Sequence, residues 1–284
     1  MDKFQLFKEL RRHRKLAEKR NIDFEKNKAA KYLVWVIWSV MVIYLIGFAI
    51  MFALIINGSQ SITSLEFISG ISPFLFAIDF LFRFMAQQTP AQLIKPYVLL
   101  PIYRYACIDN FMATSMLSSG NLVWFFMLVP YALMSVVFSY GLWATILMLV
   151  FFWLLFVLSS QWYTVVRTLI NNTILWWVLP IVIFAIAAIP WIAGGFDRFF
   201  DFYSAPGRAF EVGNPLPLLV VLVLLAAVVA INRKLQYVNI WRELSRTEKT
   251  ELKTVTRFDF LERYGEVGQY IQLEIKSIMR NKNP

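Results

Sequence analysis

Cysteine, histidine and charge are all scarce in this chain. Of its 284 residues one is a cysteine, Cys107, and one is a histidine, His13. A single thiol excludes an internal disulfide, and a single imidazole excludes a multi-histidine metal centre. Charged residues make up only 16% of the chain, against ~25% in an average soluble domain. None of the glycines precedes a lysine, so there is no Walker A loop to cradle a nucleotide. One histidine cannot supply H-E-x-x-H, and no G-x-S-x-G occurs. The sequence therefore offers no catalytic constellation, no cofactor motif and no metal site, and the chain reads as a non-enzyme.

What is present is apolar. Hydrophobic residues reach 59% and aromatic residues 17%, with 26 Phe and 10 Trp, and the mean hydropathy is +0.59. This is the composition of an all-α, polytopic membrane protein. A hydrocarbon core of ~30 Å takes about 20 apolar residues at ~1.5 Å each. Residues 32–56 supply them without one charge. Further spans are predicted over 64–85, 121–140, 142–160, 173–192 and 215–232, making six in a domain covering 32–232. Pro130, Pro180 and Pro190 fall inside these spans and mark expected bends.

Basic residues set the orientation. Residues 1–31 contain eleven Lys and Arg, and residues 233–284 another eleven. Loops on the same side add Lys95, Arg104 and Arg167, whereas the opposite loops hold only Arg198 and Arg208. This excess places both termini in the cytoplasm, in a multi-pass protein of the inner membrane. The formal charge of +10 flanks apolar runs and does not form one basic domain. Its natural counterpart is anionic lipid headgroups, not nucleic acid.

Four soluble or interfacial segments carry the functional candidates. In the basic segment 1–31, the stripe Phe4, Leu6, Phe7 and Leu10 with cations including Arg11 and Arg14 suits a helix lying in the headgroup plane, or a flank that only fixes topology. The stretch KPYVLLPIYRYACIDN, residues 95–110, is too apolar to stay solvated. It either folds beneath its own bundle or offers a docking surface. Residues 194–214 mix Phe196, Phe199, Phe200, Phe202 and Tyr203 with Asp197, Arg198 and Asp201, as an aromatic belt or a re-entrant segment would. The tail 233–284 ends in an amphipathic segment, which is either a terminal helix or the start of a second membrane half.

Acidic residues inside the second span need their own account, because a charge at the bilayer centre costs a few kcal/mol. Thr63-Ser64-Leu65-Glu66 fits a capping box, which explains Glu66. Asp79 and Arg83 stand at i and i+4 and can face each other. They form either a self-neutralising pair near the inner interface or part of a gate or interhelical contact.

The layout of interfacial helix, six spans, structured loop after span two and outer segment between spans five and six resembles the membrane domain of ABC-2-type exporters. The phrases PYVLLPIYR (96–104) and QLEIKSIMRNKNP (272–284) further resemble an uncharacterised bacterial group of large permease-related proteins, where the second phrase falls mid-chain. The resemblance implies a permease subunit whose ATP hydrolysis occurs on a separate ATP-binding subunit, and whose own assembly is a homodimer or a pair of membrane halves. Partner contacts would then come from Tyr97, Leu99, Pro101, Ile102, Tyr103 and Arg104 in a coupling loop, with the Phe4–Arg14 helix beside them. These are implications of fold-level likeness. A membrane scaffold that moves no substrate is the competing expectation.

Overall fold

A computed structural model of the chain describes residues 3–19, 28–59, 61–86, 105–248, 265, 267–268 and 270–271. Every regular element among the described residues is helical. In order these are α1 (Lys3–Lys19), α2 (Lys28–Asn57), α3 (Ser64–Gly70), α4 (Ser72–Ala86), α5 (Ala106–Met116), α6 (Ser119–Leu122), α7 (Phe125–Tyr131), α8 (Val137–Asn172), α9 (Val178–Ala187), α10 (Ile189–Glu211) and α11 (Leu216–Glu248). A π-helical turn, Ala132–Val136, joins α7 to α8, and a 3-10 turn, Ile174–Trp177, leads into α9. Hydrocarbon offers no partner for a bare N–H or C=O, so apolar segments of this length close their backbone hydrogen bonds internally.

Three helical stretches are long and apolar enough to cross a membrane, namely Trp35–Asn57, Phe125–Asn172 and Leu216–Arg242. Two bent pairs bring the number to as many as five: α3 with α4, bent by 42°, and the arm Ile174–Ala187 with α10, bent by 40°. The sequence pattern predicts six, and the difference lies in the 48-residue stretch from Phe125 to Asn172. A straight helix of that length would measure ~72 Å, more than twice the ~30 Å core. Gly141 interrupts it, with φ 79° and ψ 178°, a backbone conformation open to glycine and strained for other residues. Trp124 and Phe156 lie 17 and 15 residues to either side of Gly141, yet their rings stack at 5.1 Å. The two arms therefore fold back alongside each other.

Of the three prolines expected to bend the chain, Pro190 opens α10 at its 40° angle with α9, and Pro130 lies in α7 directly ahead of the π turn. Pro180 occupies the first turn of α9, where its missing N–H costs nothing and the helix runs on. The outer segment 194–214, expected as a belt or a dipping loop, is mostly helix: α10 runs through it to Glu211, interrupted at Gly194 and Gly195.

Two poles result. At one, the Asn57 amide donates to the Met134 carbonyl at 3.1 Å, the Tyr131 hydroxyl to the Ser64 carbonyl at 2.7 Å, and the Trp143 indole to the Gly213 carbonyl at 3.4 Å. Thr63 and Glu66 form the capping box there, Thr63 Oγ1 accepting from the Glu66 N–H and Glu66 Oε2 from the Thr63 N–H. The Thr63 hydroxyl also reaches Glu211 on α10. At the other pole, α1 packs on α5, burying Leu10 and half-burying Leu6 and Phe7 while Arg11 stays exposed. The side chains of Phe4 and Arg14 lie outside the described set. Residues 242–284 make up a second compact unit, described only at the few helical positions given above.

The tightest joint is between α3 and α10. A Cβ on Gly207 would lie 2.2 Å from the Leu65 carbonyl oxygen and 2.7 Å from the Glu66 nitrogen, which are backbone atoms with no room to yield. Small residues at membrane helix crossings permit this approach. Gly207→Ala is expected to force the helices apart at a cost of ~1–3 kcal/mol, the range for overpacking. Gly47→Ala, with open space around its Cβ, should leave stability equal or slightly improved. Thermal unfolding of the purified protein in detergent checks both; equal midpoints for the two variants would contradict the contact.

Candidate functional site

The interior of a membrane bundle leaves each polar side chain dependent on others. α4 places Asp79 and Arg83 one turn apart on its inward face, both about 4% exposed. Arg83 Nε donates to Asp79 Oδ2 at 2.6 Å, and the Trp124 indole N–H donates to Asp79 Oδ1 at 2.7 Å, so both carboxylate oxygens are held. Arg83 Nη2 donates to Asn121 Oδ1 at 2.7 Å and reaches the Phe156 carbonyl at 3.5 Å. The Trp124 ring lies nearly parallel to that of Phe156, which locks its indole toward Asp79.

From Asn121 the network turns toward the pole occupied by α1 and α5. The Asn121 amide donates to the carbonyls of Ser115 and Met116 at 3.0 and 2.7 Å, capping the end of α5. Gln161 on α8 donates to Ser115 Oγ at 2.9 Å and accepts from Asn232 on α11 at 2.8 Å. Gln236, one turn beyond Asn232, donates to Asn232 Oδ1 at 3.1 Å and to Thr168 Oγ1 at 2.7 Å. Asn121, Gln161, Asn232 and Gln236 have no exposed surface. Where the network reaches solvent, Arg233 grips Asp109 of α5 through two nitrogens at 2.7 and 2.9 Å and lies 4.5 Å over the Tyr105 ring, which itself stacks on Tyr237. Cys107, half-buried on α5, has its thiol pushed up by burial and stays protonated at neutral pH.

Beside the ion pair lies a partly open cavity of about 500 Å³, lined by residues of α2, α4, α6 and α7. Trp38, Met41, Tyr44, Phe48, Ile78 and Trp124 form much of its wall, and Asp79 and Arg83 also reach it. Its size lies within the ~300–1,000 Å³ of small-molecule sites.

A family profile described as a family of unknown function (DUF5687) matches residues 14–284. The chain belongs to the DUF5687 family. The matched span contains every member of the polar network and every residue named on the cavity wall. No curated protein and no solved structure matches.

Within this DUF5687 chain, the sequence-derived candidates fall into three groups. Asp79 and Arg83 meet as an ion pair inside the bundle. The α1 candidates Phe7 and Leu10 face α5 to differing degrees, so part of the stripe meets protein. The coupling-loop candidates Tyr97, Leu99, Pro101, Ile102, Tyr103 and Arg104 lie outside the described residues. Residues 105–110, the described end of that stretch, turn into α5 and bury Ile108 and Asn110. Sequence reasoning missed Trp124, Asn121, Gln161, Asn232 and Gln236. Asn121 and Asn232 stood at the ends of predicted spans and Gln161 and Gln236 just beyond them, where a water-facing boundary is the ordinary interpretation, while Trp124 read as one more apolar residue of the span 121–140.

Removing one partner from a buried ion pair strands the other and costs ~3–5 kcal/mol. Asp79→Asn and Arg83→Gln are each expected to lower the unfolding midpoint and membrane abundance sharply. The double variant should lose clearly less than the sum of the two. Strictly additive losses would mean that each residue serves a separate partner.

Proposed function

We propose that the chain is the membrane-spanning permease subunit of an ABC-2-type exporter, a six-pass inner-membrane protein with cytoplasmic termini that works with a separate ATP-binding subunit. The observation that carries this reading is the bracing of α5. That helix follows directly on residues 95–104, the stretch that would meet the ATPase. It is held by α1, by the Asp109–Arg233 pair and by the Ser115–Gln161 and Asn121 hydrogen bonds. A push on the loop at 95–104 would thus reach α8 and α11 through Gln161 and Arg233, and α4 through Asn121 and Arg83. Chains of packed side chains and hydrogen bonds between rigid elements are one physical carrier of such coupling.

Two further features support the reading. The hairpin at Gly141 supplies the reversal between the third and fourth passes, and the bent arms on either side of Ala188 fit an outer segment that dips and returns. Chemistry in the chain itself is not required, since the partner would hydrolyse the nucleotide and the permease would supply only the path and its mechanical response. A homodimer or a second membrane half would complete the path.

Affinity purification from native membranes tests this directly. An apolar anchor at the centre of a protein contact typically costs ~2 kcal/mol or more when truncated. The tagged chain is expected to recover an ATPase, Leu99→Ala with Tyr103→Ala to release it at equal abundance, and Lys95→Ala to change little. Recovery of no ATPase would favour a non-transporting scaffold, and recovery unchanged by the double substitution would remove this loop as the docking site.

A further inference from the structure

Between Asp109 and Asp197 the sequence contains a single charged residue, Arg167. It lies on α8, 26 residues beyond the break at Gly141, or ~39 Å of helix. A hydrocarbon core is ~30 Å thick, so Gly141 and Arg167 stand toward opposite membrane surfaces. α8 ends shortly afterwards at Asn171 and Asn172, and the chain leaves the helix at Thr173. Trp176 and Trp177 follow in the 3-10 turn, and tryptophan is the residue type that collects at headgroup level.

The Arg167 guanidinium is partly buried and has no counter-charge. Its Cζ lies 4.7 Å from the centre of the Phe84 ring, which in turn meets Trp177 at 4.9 Å and Tyr163 at 6.3 Å. Nε is closed off from solvent without a hydrogen-bond partner. Nη1 and Nη2 are not enclosed in that way, and among the described residues neither has an acceptor, so the accessible part of the side chain includes two open donors. The stretch 87–104 contains no acidic residue either, Asp109 is taken by Arg233, and Asp79 by Arg83. An aromatic face compensates a cation by only ~0.5–2 kcal/mol, whereas a charge at membrane depth costs a few kcal/mol. The balance calls for an anion from outside the chain.

We infer that Arg167 seats the phosphate of an anionic membrane phospholipid, two phosphate oxygens accepting from Nη1 and Nη2. Two donors in one rigid plane match a pair of oxygens on one phosphorus. Past the turn, Ile174, Leu175, Val178 and Ile181 are all more than half exposed, which suits acyl chains below a headgroup held at Arg167. One unbalanced cation selects a lipid of net charge −1, because a zwitterionic head would bring a second cation to the site. Phe84, Arg167 and Trp177 come from α4, α8 and the turn into α9, so the lipid closes the charge at a joint of three elements. The site stands apart from the exporter reading, since a scaffold would hold the same lipid.

The test uses the purified full-length chain in an uncharged detergent, with thermal unfolding and native mass spectrometry as readouts. Phosphatidylglycerol, phosphatidylethanolamine, a fatty acid and inorganic phosphate are added separately. Phosphatidylglycerol is expected to raise the unfolding midpoint by several degrees and to bind several-fold more tightly than phosphatidylethanolamine. Arg167→Gln should lose this preference, while its midpoint without lipid stays equal to or above that of the unaltered chain, because an unbalanced charge has been removed. Arg167→Lys, which keeps the charge but not the paired donors, should retain part of the preference. Lys234→Gln, which removes an exposed cation on α11, should retain all of it. Equal response of the unaltered chain to the two phospholipids would overturn the anionic lipid. A preference that survives Arg167→Gln, or falls as far with Lys234→Gln, would overturn the site. A fatty acid as effective as phosphatidylglycerol would overturn the phosphate, and inorganic phosphate giving the full shift would overturn a lipid as its source.

Discussion

A guanidinium inside a bundle of apolar helices keeps its charge only if the protein replaces the water it has lost. Arg83 is that group, and Asp79, Asn121 and the Phe156 carbonyl form its solvation shell. Asp79 supplies the counter-charge from one turn away on the same helix, which needs no tertiary fold. The other partners do need one: Asn121 and the Trp124 indole come from the chain before Gly141 and the Phe156 carbonyl from the arm after it, so the fold-back at Gly141 brings the last of them to the pair.

The contrast between poles follows from how each is held. At one pole α3 and α10 meet backbone to backbone at Gly207, with the Thr63–Glu66 box and Glu211 closing the end. Contacts of that kind are short and tolerate little change of spacing. At the pole of α1 and α5 the helices meet through long amide side chains: Gln161 touches both Ser115 and Asn232, and Gln236 touches both Asn232 and Thr168. Hydrogen bonds between flexible side chains can exchange partners within the same set of groups, which a glycine crossing cannot do. The bundle is thus held backbone to backbone at one end and through exchangeable side-chain bonds at the other.

The sequence was most informative where a single physical demand acted alone. The uncharged run 32–56 could only be a membrane helix, and it appears within α2; T-x-x-E before an apolar run specified the cap on α3. The spacing of Asp79 and Arg83 specified their pairing. Partners further along the chain were hidden for a definite reason. Asn121, Ser160 and Asn232 marked the edges of three predicted spans, because a polar residue at the end of an apolar run ordinarily faces water or headgroups. In the folded chain all three are buried, and the two asparagines bond to side chains from other helices. Nothing in local hydropathy separates an amide that ends a span from one that joins two. Likewise Gly141 lay between two predicted spans as a boundary, but only the φ of 79° and the Trp124–Phe156 stack show that it is where the chain turns back.

The account rests on the inner polar groups acting as one connected unit and not as separate pairs. A double-mutant cycle between Asn121→Ala and Asn232→Ala, read as unfolding free energy of the purified full-length chain in a fixed detergent, measures this most directly. The two residues are joined through Ser115 and Gln161. A connected network predicts that the double variant departs from additivity by more than ~0.5 kcal/mol, the scatter found for independent sites. Additivity within that scatter would show two unrelated local contacts and would contradict the account.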